Sequence, residues 1–220
     1  MKIDNALYEQ LARIGRAIAS GPRLALLDLL RQGPRTVEAL AQQAGLTLAN
    51  ASQHLKVLRQ ARLVEADKRG VFVTYRVADA SVDSFYAALR GLAETRLAEV
   101  QQIARAFVEK RGSFEAVDRQ RLLERVRAGE VMLLDVRPAQ EYRAAHIEGA
   151  VSVPLSELEE HLASVPKARD VVAYCRGPYC VLAPQAVTLL RARGYRAFAL
   201  GDGVAEWRAH GLPVAAGDTP

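Results

Sequence analysis

The sequence has 220 residues, of which 50% are hydrophobic and 25% charged, with 15 Gly and 9 Pro. This length exceeds one average domain, and the composition predicts a globular chain of two domains rather than a collagen-like, disordered or coiled-coil protein. The net charge of +5 lies in the first half, because residues 1–110 carry 16 Lys and Arg against 11 Asp and Glu, whereas residues 111–220 carry 14 of each sign.

This charge distribution and the two cysteines suggest different roles for the two halves. A basic first half favours a polyanionic partner. Cys175 and Cys180 are too few and too close together for a disulfide scaffold, so they point to chemistry. The sequence has no apolar run of about 18 residues and no secretory signal at its start, so we expect a cytoplasmic protein without a membrane segment.

Helical periodicity dominates the N-terminal half. Apolar residues recur at helical spacing from Leu7 to Ile18, and Ser20 is predicted to cap a second helix. Thr36 is predicted to cap a third helix that Gly45 ends, and Thr47 a fourth helix directly after the turn. Two short helices joined by a glycine turn are typical of DNA-binding proteins.

The fourth helix is predicted to have an apolar inner face and a polar outer face. The inward residues are Leu48, Ala51, Leu55 and Leu58, and those opposite are Asn50, Gln53, Val57 and Gln60. Asn and Gln can hydrogen-bond adenine, and Lys and Arg bind phosphate. The alternative is an ordinary solvated face, which is usually rich in carboxylates, but none occurs between Glu38 and Glu65. We therefore favour DNA binding.

A hairpin and a long helix follow. Alternating apolar residues flank a predicted turn at Asp67-Lys68-Arg69-Gly70, which would form a wing with a cationic tip. A single helix is predicted from Ser81 to about Val108, and its apolar positions exceed what a small core can bury, so we expect it to pair with the first helix across a dimer axis. The candidate DNA-binding residues are Thr47, Asn50, Ser52, Gln53, His54, Lys56, Lys68 and Arg69.

With the segment SQHLKVLRQARLVEADKRG and helices in this order, residues 1–108 resemble the ArsR/SmtB-type winged helix-turn-helix repressors. The resemblance implies a homodimer, formed by the first and last helices, that binds a palindromic double-stranded operator. Metal-sensing members of the family use cysteines near the third helix or His and acidic clusters on the last one. This half has no cysteine and His54 is its only histidine, so we expect neither metal sensing nor a cofactor.

The C-terminal half alternates between strands and helices. Strand-like runs occur near residues 131, 171 and 196, and helical stretches at 118–128, 156–164, 181–193 and 203–210. This alternation predicts a parallel α/β sheet with helices on both faces and a binding site at the carboxyl ends of the strands.

The strand that ends at Tyr174 leads directly into the loop CRGPYC. Backbone amides of Arg176, Gly177, Tyr179 and Cys180, together with the Arg176 charge, are predicted to lower the pKa of Cys175 and make it the more reactive thiol. The alternative is a buried structural cysteine, which we consider the weaker hypothesis.

Three segments resemble the rhodanese family: LLDVRPAQEYRAAHIEGAVSVP at 133–154, CRGPYC at 175–180 and LGDGVAEWRAHGLP at 200–213. The resemblance implies that Cys175 accepts a sulfane sulfur atom as a persulfide and passes it to a nucleophile. The candidate catalytic residues are Cys175, Arg176 and Cys180. Asp135, Arg137, Glu141, His146 and Trp207 are interpreted as structural, and His161 and His210 as solvated.

Competing hypotheses concern the reaction and its purpose. A phosphatase would need an arginine where Val181 stands, so phosphoryl transfer is disfavoured. Cys180 could attack an oxidised or persulfidated Cys175 and give a signal, which favours a regulator, or it could merely complete the loop. A sulfurtransferase whose first half only dimerises or localises it is the alternative. Thiosulfate, a mercaptopyruvate-like acid and polysulfide all stay open as donors.

The sequence thus predicts two domains. A mainly α winged helix-turn-helix domain covers residues 1–108, a linker covers 109–114, and an α/β rhodanese-like domain with a parallel sheet covers 115–218. The expected partners are operator DNA, a second copy of the chain and a sulfane sulfur donor.

Overall fold

The computed structural model describes residues 5–70, 72–110 and 118–218. The chain divides between Leu92 and Ala93 into two compact units. The predicted linker at 109–114 lies largely outside the described residues, so the domain limits at 108 and 115 stay predictions.

The first unit begins with four helices, which are α1 (Asn5–Ile18), α2 (Gly21–Arg31), α3 (Val37–Gln43) and α4 (Leu48–Gln60). The Thr36 hydroxyl accepts a hydrogen bond from the Ala39 amide at 3.4 Å and so caps α3 as predicted. Ser20 occupies the N-cap of α2, but its side chain makes no capping hydrogen bond. The core lies between α2, α3 and α4, and its fully buried leucines are Leu26, Leu27, Leu30, Leu40, Leu55 and Leu58.

The wing is an antiparallel hairpin of β2 (Val64–Arg69) and β3 (Phe72–Val77), and β3 also pairs with β1 (Arg35–Thr36). The turn predicted at Asp67–Gly70 is wrong, because Asp67 and Lys68 pair with Thr74 and Val73 within the ladder. The turn follows Arg69 and contains Gly70, whose φ of 61° supplies the left-handed conformation that such short turns require. Val71 lies outside the described residues.

The single helix predicted from Ser81 to about Val108 is divided at Leu97 into α5 (Ala80–Arg96) and α6 (Ala98–Lys110). At this break the Gln101 side-chain amide donates to the Thr95 carbonyl at 3.4 Å. A side chain thus competes for a helical backbone acceptor, which apolar periodicity cannot reveal.

The second unit contains a parallel sheet, as predicted. The sheet has four strands in the order β6-β4-β7-β8. Its elements after α6 are α7 (Arg119–Arg127), β4 (Val131–Asp135), α8 (Ala139–Ala144), β5 (His146–Ile147), β6 (Val151–Ser152), α9 (Leu158–His161), β7 (Asp170–Tyr174), α10 (Leu182–Ala192), β8 (Ala197–Ala199), α11 (Val204–Ala209) and β9 (Val214–Ala215). Helix α8, strand β6 and the short antiparallel pair β5 and β9 were not predicted.

Alternate residues of β7 pack into different cores. Val171 and Ala173 lie in one cluster with Leu190 of α10, whereas Val172 and Tyr174 lie in another with Trp207 of α11. This alternation confirms that helices cover both faces of the sheet.

Buried polar residues fix the carboxyl ends of β4 and β7. The fully buried Arg137 donates to Asp135 with Nε 2.9 Å from Oδ1, and to the Ala145 carbonyl at 2.7 Å. The Tyr174 hydroxyl donates to Asp135 Oδ2 at 2.6 Å. These contacts join the two strand ends from which the candidate loop emerges, in agreement with the structural roles expected for Asp135 and Arg137.

The other residues interpreted as structural are also buried. His146 donates through Nδ1 to the Tyr142 carbonyl at 2.9 Å, and Trp207 donates through Nε1 to the Pro213 carbonyl at 3.1 Å. His161 and His210 lie exposed, as expected.

Candidate functional site

The outer face of α4 presents most of the predicted DNA-binding residues to solvent. Thr47 caps the helix by accepting from the Asn50 amide at 3.3 Å. His54 is half-buried rather than fully exposed. The exposed members of the predicted set on and before α4 are Thr47, Asn50, Ser52, Gln53 and Lys56.

Two apolar residues of α4 lie opposite to their predicted positions. Leu48 was expected in the core but is 50% exposed, because it begins the helix one turn before the first buried residue, Ala51. Val57 was expected on the outer face but packs against the core cluster. Leu48 therefore joins Thr47 and Asn50 on the exposed start of the helix, where an aliphatic side chain can contact a thymine methyl group.

Lys68 of the predicted wing set is exposed on β2. The backbone of Arg69 ends the same strand, and its side chain lies outside what the structure describes. The exposure of Lys68 agrees with a role as a wing cation, and the role of Arg69 stays a prediction.

The candidate sulfur loop runs from Cys175, directly after β7, to Val181, the N-cap of α10. The Cys180 amide donates to the Gly177 carbonyl at 3.1 Å and closes a tight turn. Cys180 was predicted to offer this amide to Cys175, and the turn uses it instead. The amides that face the Cys175 sulfur are those of Gly177 and Ala183.

Arg176 is paired with a carboxylate that the sequence analysis had interpreted as structural. Its Nη2 lies 2.6 Å from Glu141 Oε1, and its Nε lies 3.0 Å from Oε2, in a bidentate arrangement. Glu141 is 3% exposed. The positive charge expected on Arg176 is therefore neutralised. Glu141 contacts the loop, and the sequence alone did not place it there.

The start of α11 packs directly against the loop backbone. A Cβ atom at Gly203 would lie 2.6 Å from the carbonyl oxygen of Arg176, so this approach requires glycine. The Glu206 carboxylate accepts from the Gly203 amide at 3.0 Å and also lies beside Gly177. A glycine before a helix has several explanations in a sequence, and so this contact was not predicted.

The two thiols of the loop differ from the prediction. Cys175 is 2% exposed, and burial raises the pKa of its thiol well above the ordinary value, so the predicted lowering is wrong. Cys180 is partly exposed. A hydrogen bond from the Cys175 thiol and the amides of Arg176 and Leu182 lower the pKa of Cys180 to about 6.

Tyr179, in the same loop, contacts the end of α5. Its hydroxyl donates to the Glu94 carboxylate at 2.6 Å. Glu94 and Tyr179 both belong to the second unit, although α5 begins within the first. The contact therefore lies within the second unit.

Residues 5–70, 72–110 and 118–218 contain no group of three or more His, Cys, Asp or Glu side chains placed to hold a metal ion. Among the same residues, no helix is both long and apolar enough to cross a membrane.

Comparison with known proteins identifies the class of both halves. Residues 18–66 match the helix-turn-helix domain family, and residues 118–210 match the rhodanese-like domain family. The chain is 48% identical over 210 residues to the HTH-type transcriptional regulator Rv0324 of Mycobacterium tuberculosis, an alignment that covers 95% of this chain and 92% of that protein. The chain belongs to the family of HTH-type transcriptional regulators, and its C-terminal half is a rhodanese-like domain.

Two further relatives each match one half. A sulfurtransferase of Allochromatium vinosum is 34% identical over 102 residues, covering 46% of this chain and 94% of that protein. The solution structure of the homodimeric winged helix-turn-helix DNA-binding domain of Mb0332 from Mycobacterium bovis is 40% identical, with a TM-score of 0.42, covering 45% of this chain and 94% of that one. The matches to family models and to Rv0324 confirm that the chain joins a helix-turn-helix regulator to a rhodanese-like domain, as the sequence predicted. Membership of the ArsR type stays a prediction.

Proposed function

We propose that this regulator binds operator DNA as a homodimer and that sulfane sulfur, held as a persulfide on Cys175 with Cys180 as resolving thiol, changes its affinity for that DNA. The observation that carries the proposal is that the two cysteines of the chain lie in one loop, with their thiols hydrogen-bonded, in a chain that also has a helix-turn-helix. A pair of adjacent thiols can hold two stable covalent states, which a sensor requires.

DNA binding is supported by the outer face of α4. The exposed polar side chains there are amides, hydroxyls and the cations Lys56 and Arg59, and no carboxylate lies among them. Lys68 on the wing adds a phosphate contact, because cationic side chains supply the sequence-independent part of DNA affinity.

Dimer formation is supported by uncovered apolar side chains. Leu7, Tyr8 and Leu11 of α1 are each 56% exposed, and Leu92 of α5 is 58% exposed. Neighbouring exposed apolar residues on helices mark association surfaces. The apolar residues that a small three-helix core leaves uncovered are those expected to meet a second copy.

Sulfur chemistry is supported by the surroundings of Cys175. The amides of Gly177 and Ala183 face its sulfur, and such donors stabilise a persulfide anion. The similarity of this half to a sulfurtransferase supports the same chemistry.

Coupling is supported by the contact of Tyr179 with Glu94. A change at Cys175 or Cys180 would move the neighbouring Tyr179, and a change at Glu94 would be carried along α5. The expected coupling free energy is about 1 to 3 kcal/mol, which corresponds to an affinity change of roughly fivefold to 150-fold.

The test uses a DNA fragment from the region upstream of the protein's own gene. It is titrated with reduced, persulfidated and disulfide forms of the full chain, with random DNA of equal length as the control. We expect the three forms to differ in affinity for the upstream fragment. Equal affinities for all three forms would contradict the sensor hypothesis.

Tyr179→Phe provides a matched variant, because it removes one hydroxyl and no cysteine. We expect it to accept sulfur like the wild type but to show less than the wild-type difference in DNA affinity between the reduced and persulfidated forms. An unchanged difference would show that the contact with Glu94 does not transmit the signal.

The second candidate function is a sulfurtransferase, which the similarity to the Allochromatium vinosum protein favours. Steady multiple turnover from thiosulfate to an added thiol, with DNA affinity unaffected by sulfur loading, would support this function over the regulator.

A further inference from the structure

The positive charge of the sulfur loop is held by a buried carboxylate. Arg176 is the one cation of the loop sequence 175–181. Its side chain donates to both oxygens of Glu141, from Nε at 3.0 Å and from Nη2 at 2.6 Å. The Glu141 side chain is 3% exposed and that of Arg176 is 22% exposed, so water screens this pair little. The guanidinium is therefore directed at Glu141 rather than toward an incoming ligand.

Two more carboxylates lie against the same loop. Glu94 accepts a hydrogen bond from the Tyr179 hydroxyl at 2.6 Å. Glu206 accepts from the Gly203 amide at 3.0 Å, and a Cβ atom at Gly177 would lie 3.0 Å from its Oε2. Each of these carboxylates places negative charge beside the loop. An anion that approached the loop would meet this charge.

The arginines next to these carboxylates are also paired. Arg119, which interacts electrostatically with Glu206, donates to both oxygens of Asp202. Arg137, below the loop, is fully buried against Asp135. Like Arg176, both arginines already have a carboxylate partner. The charges around the loop therefore sum to neutral or negative.

We propose that the sulfur donor of this loop is an organic persulfide whose carrier has no negative charge, and that Glu141 determines this preference by holding Arg176. The inference rests on the proposed function, because it names the class of donor for the same site at Cys175. It also selects among the donors that the sequence left open, since thiosulfate, a mercaptopyruvate-like acid and inorganic polysulfide are all anions.

Transfer from such a donor balances without any change in charge. The Cys175 thiol gives up its proton, and its sulfur attacks the outer sulfur of the persulfide R–S–SH. A bond from Cys175 to that sulfur forms, and the bond between the two donor sulfurs breaks. The leaving thiolate keeps the electron pair, takes up a proton and departs as the thiol R–SH. Cys175 then carries the persulfide, and no oxidant or reductant is consumed.

The backbone around Cys175 suits this reaction better than transfer from thiosulfate. The amides of Gly177 and Ala183 face the sulfur and can stabilise the single charge that develops on it. Thiosulfate would bring two full charges to the loop and leave as sulfite. Amide dipoles alone compensate two such charges poorly, and the guanidinium that could help is bound to Glu141.

The test compares two donors that differ only in the carrier. The persulfide of 2-mercaptoethanol has an uncharged carrier, and the persulfide of mercaptosuccinate has two carboxylates. Each is mixed with the full chain, and the initial rate of sulfur addition is followed by intact-mass spectrometry. The uncharged thiol N-acetylcysteine amide gives the intrinsic reactivity of each donor. We expect the wild type to prefer the uncharged carrier at least about tenfold more than this reference thiol does, because the carboxylates beside the loop repel those of mercaptosuccinate.

Substitutions test the role of Glu141. Glu141→Gln keeps the shape of the side chain and removes its charge, so the charge of Arg176 is no longer compensated. We expect the preference to fall by roughly tenfold and loading from thiosulfate to become faster. Glu141→Gln combined with Arg176→Gln leaves the loop uncharged again and should restore the wild-type preference. Glu159→Gln is the matched control, because Glu159 is exposed and pairs with Arg193 at the opposite end of α10 from the loop.

The outcomes separate the inference from the proposed function. A wild type with the same preference as the reference thiol overturns the inference and leaves the sulfur chemistry intact, and this comparison needs no variant to fold. If Glu141→Gln is folded, as judged by urea denaturation, and keeps the wild-type preference, Glu141 does not determine the donor. Failure of the wild type to load sulfur from either persulfide or from thiosulfate contradicts the proposed sulfur chemistry itself.

Discussion

Arg137 and Asp135 form a fully buried ion pair beneath the candidate loop, and each is the main neutralising charge for the other. Arg137→Met would leave the Asp135 carboxylate buried without its partner, which costs roughly 3 to 5 kcal/mol. We expect the free energy of unfolding of the C-terminal half to fall by about that amount, measured by urea denaturation.

The matched control is Arg143→Met, because the Arg143 ion pair with Asp218 is exposed on both sides. Exposed pairs contribute about 0 to 1 kcal/mol, so this variant should unfold close to the wild type. A similar loss in both variants would mean that the buried pair has no special role in stability.

At the scale of single residues, the sequence predicted the identity of the loop cysteines but not their ionisation. The residue order places Cys175 directly after β7, and a strand-to-helix loop normally favours a thiolate there. The structure shows that Cys175 is the more buried of the two cysteines. The backbone amides around the loop face both sulfurs rather than the Cys175 sulfur alone. Burial and the direction of a shared hydrogen bond depend on tertiary packing, which residue order does not contain.

The helix α4 and the wing are the elements that the DNA-binding prediction depends on. Gln53→Ala should weaken binding to the upstream fragment more than to random DNA, because base-edge contacts carry specificity. His54→Ala is expected to act in the same direction, and its half-buried side chain should make the effect smaller. Fluorescence anisotropy with both DNA fragments measures the difference.

Lys68→Ala should instead weaken binding to all sequences and flatten the dependence of affinity on salt, since a phosphate contact releases counterions. Gln42→Ala, at an exposed position of α3, is the control for an unrelated loss of side chain. If Lys68→Ala leaves the salt dependence unchanged, the wing does not contact phosphate.

Apolar periodicity predicted most helices and strands of the chain. It failed where a helix is interrupted, where a turn begins, and where a strand has only two residues. The helices α1 to α4 and the strands β4 and β7 follow from apolar spacing and capping residues. The break at Leu97 lies beside a hydrogen bond from the Gln101 side chain, and the turn of the wing follows the last pair of the ladder, Arg69 with Phe72. Strands of two residues, such as β5 and β9, have too few positions to show any period.

At the scale of the whole molecule, association should depend on the uncovered side chains of α1. Leu11→Glu would place a charge on a surface that the dimer must desolvate, which is strongly unfavourable. We expect a monomer in sedimentation experiments and a loss of binding to the upstream fragment. Gln10→Glu adds the same charge at an adjacent exposed position and should leave the dimer intact.

If Leu11→Glu stays dimeric, the association surface lies elsewhere. The sequence predicted this surface from an excess of apolar residues, which the exposure of Leu7 and Leu11 supports. The sequence predicted two domains because the net charge and the apolar periodicity differ between the N-terminal and C-terminal halves. The contact of Tyr179 with Glu94 was beyond its reach, because these residues are 85 positions apart and neither belongs to a periodic pattern.

The pairing of Arg176 with Glu141 has a consequence for how donors find the loop. A free arginine would attract a dianion such as thiosulfate over long range, and that attraction would weaken with ionic strength. Because the guanidinium is neutralised, we expect the second-order rate constant for sulfur loading to change little between low and high salt, whereas DNA affinity falls steeply. Stopped-flow loading measured over a salt series tests this. A high salt concentration would then abolish DNA binding and leave the rate of sulfur loading nearly unchanged, so that the two activities could be measured separately.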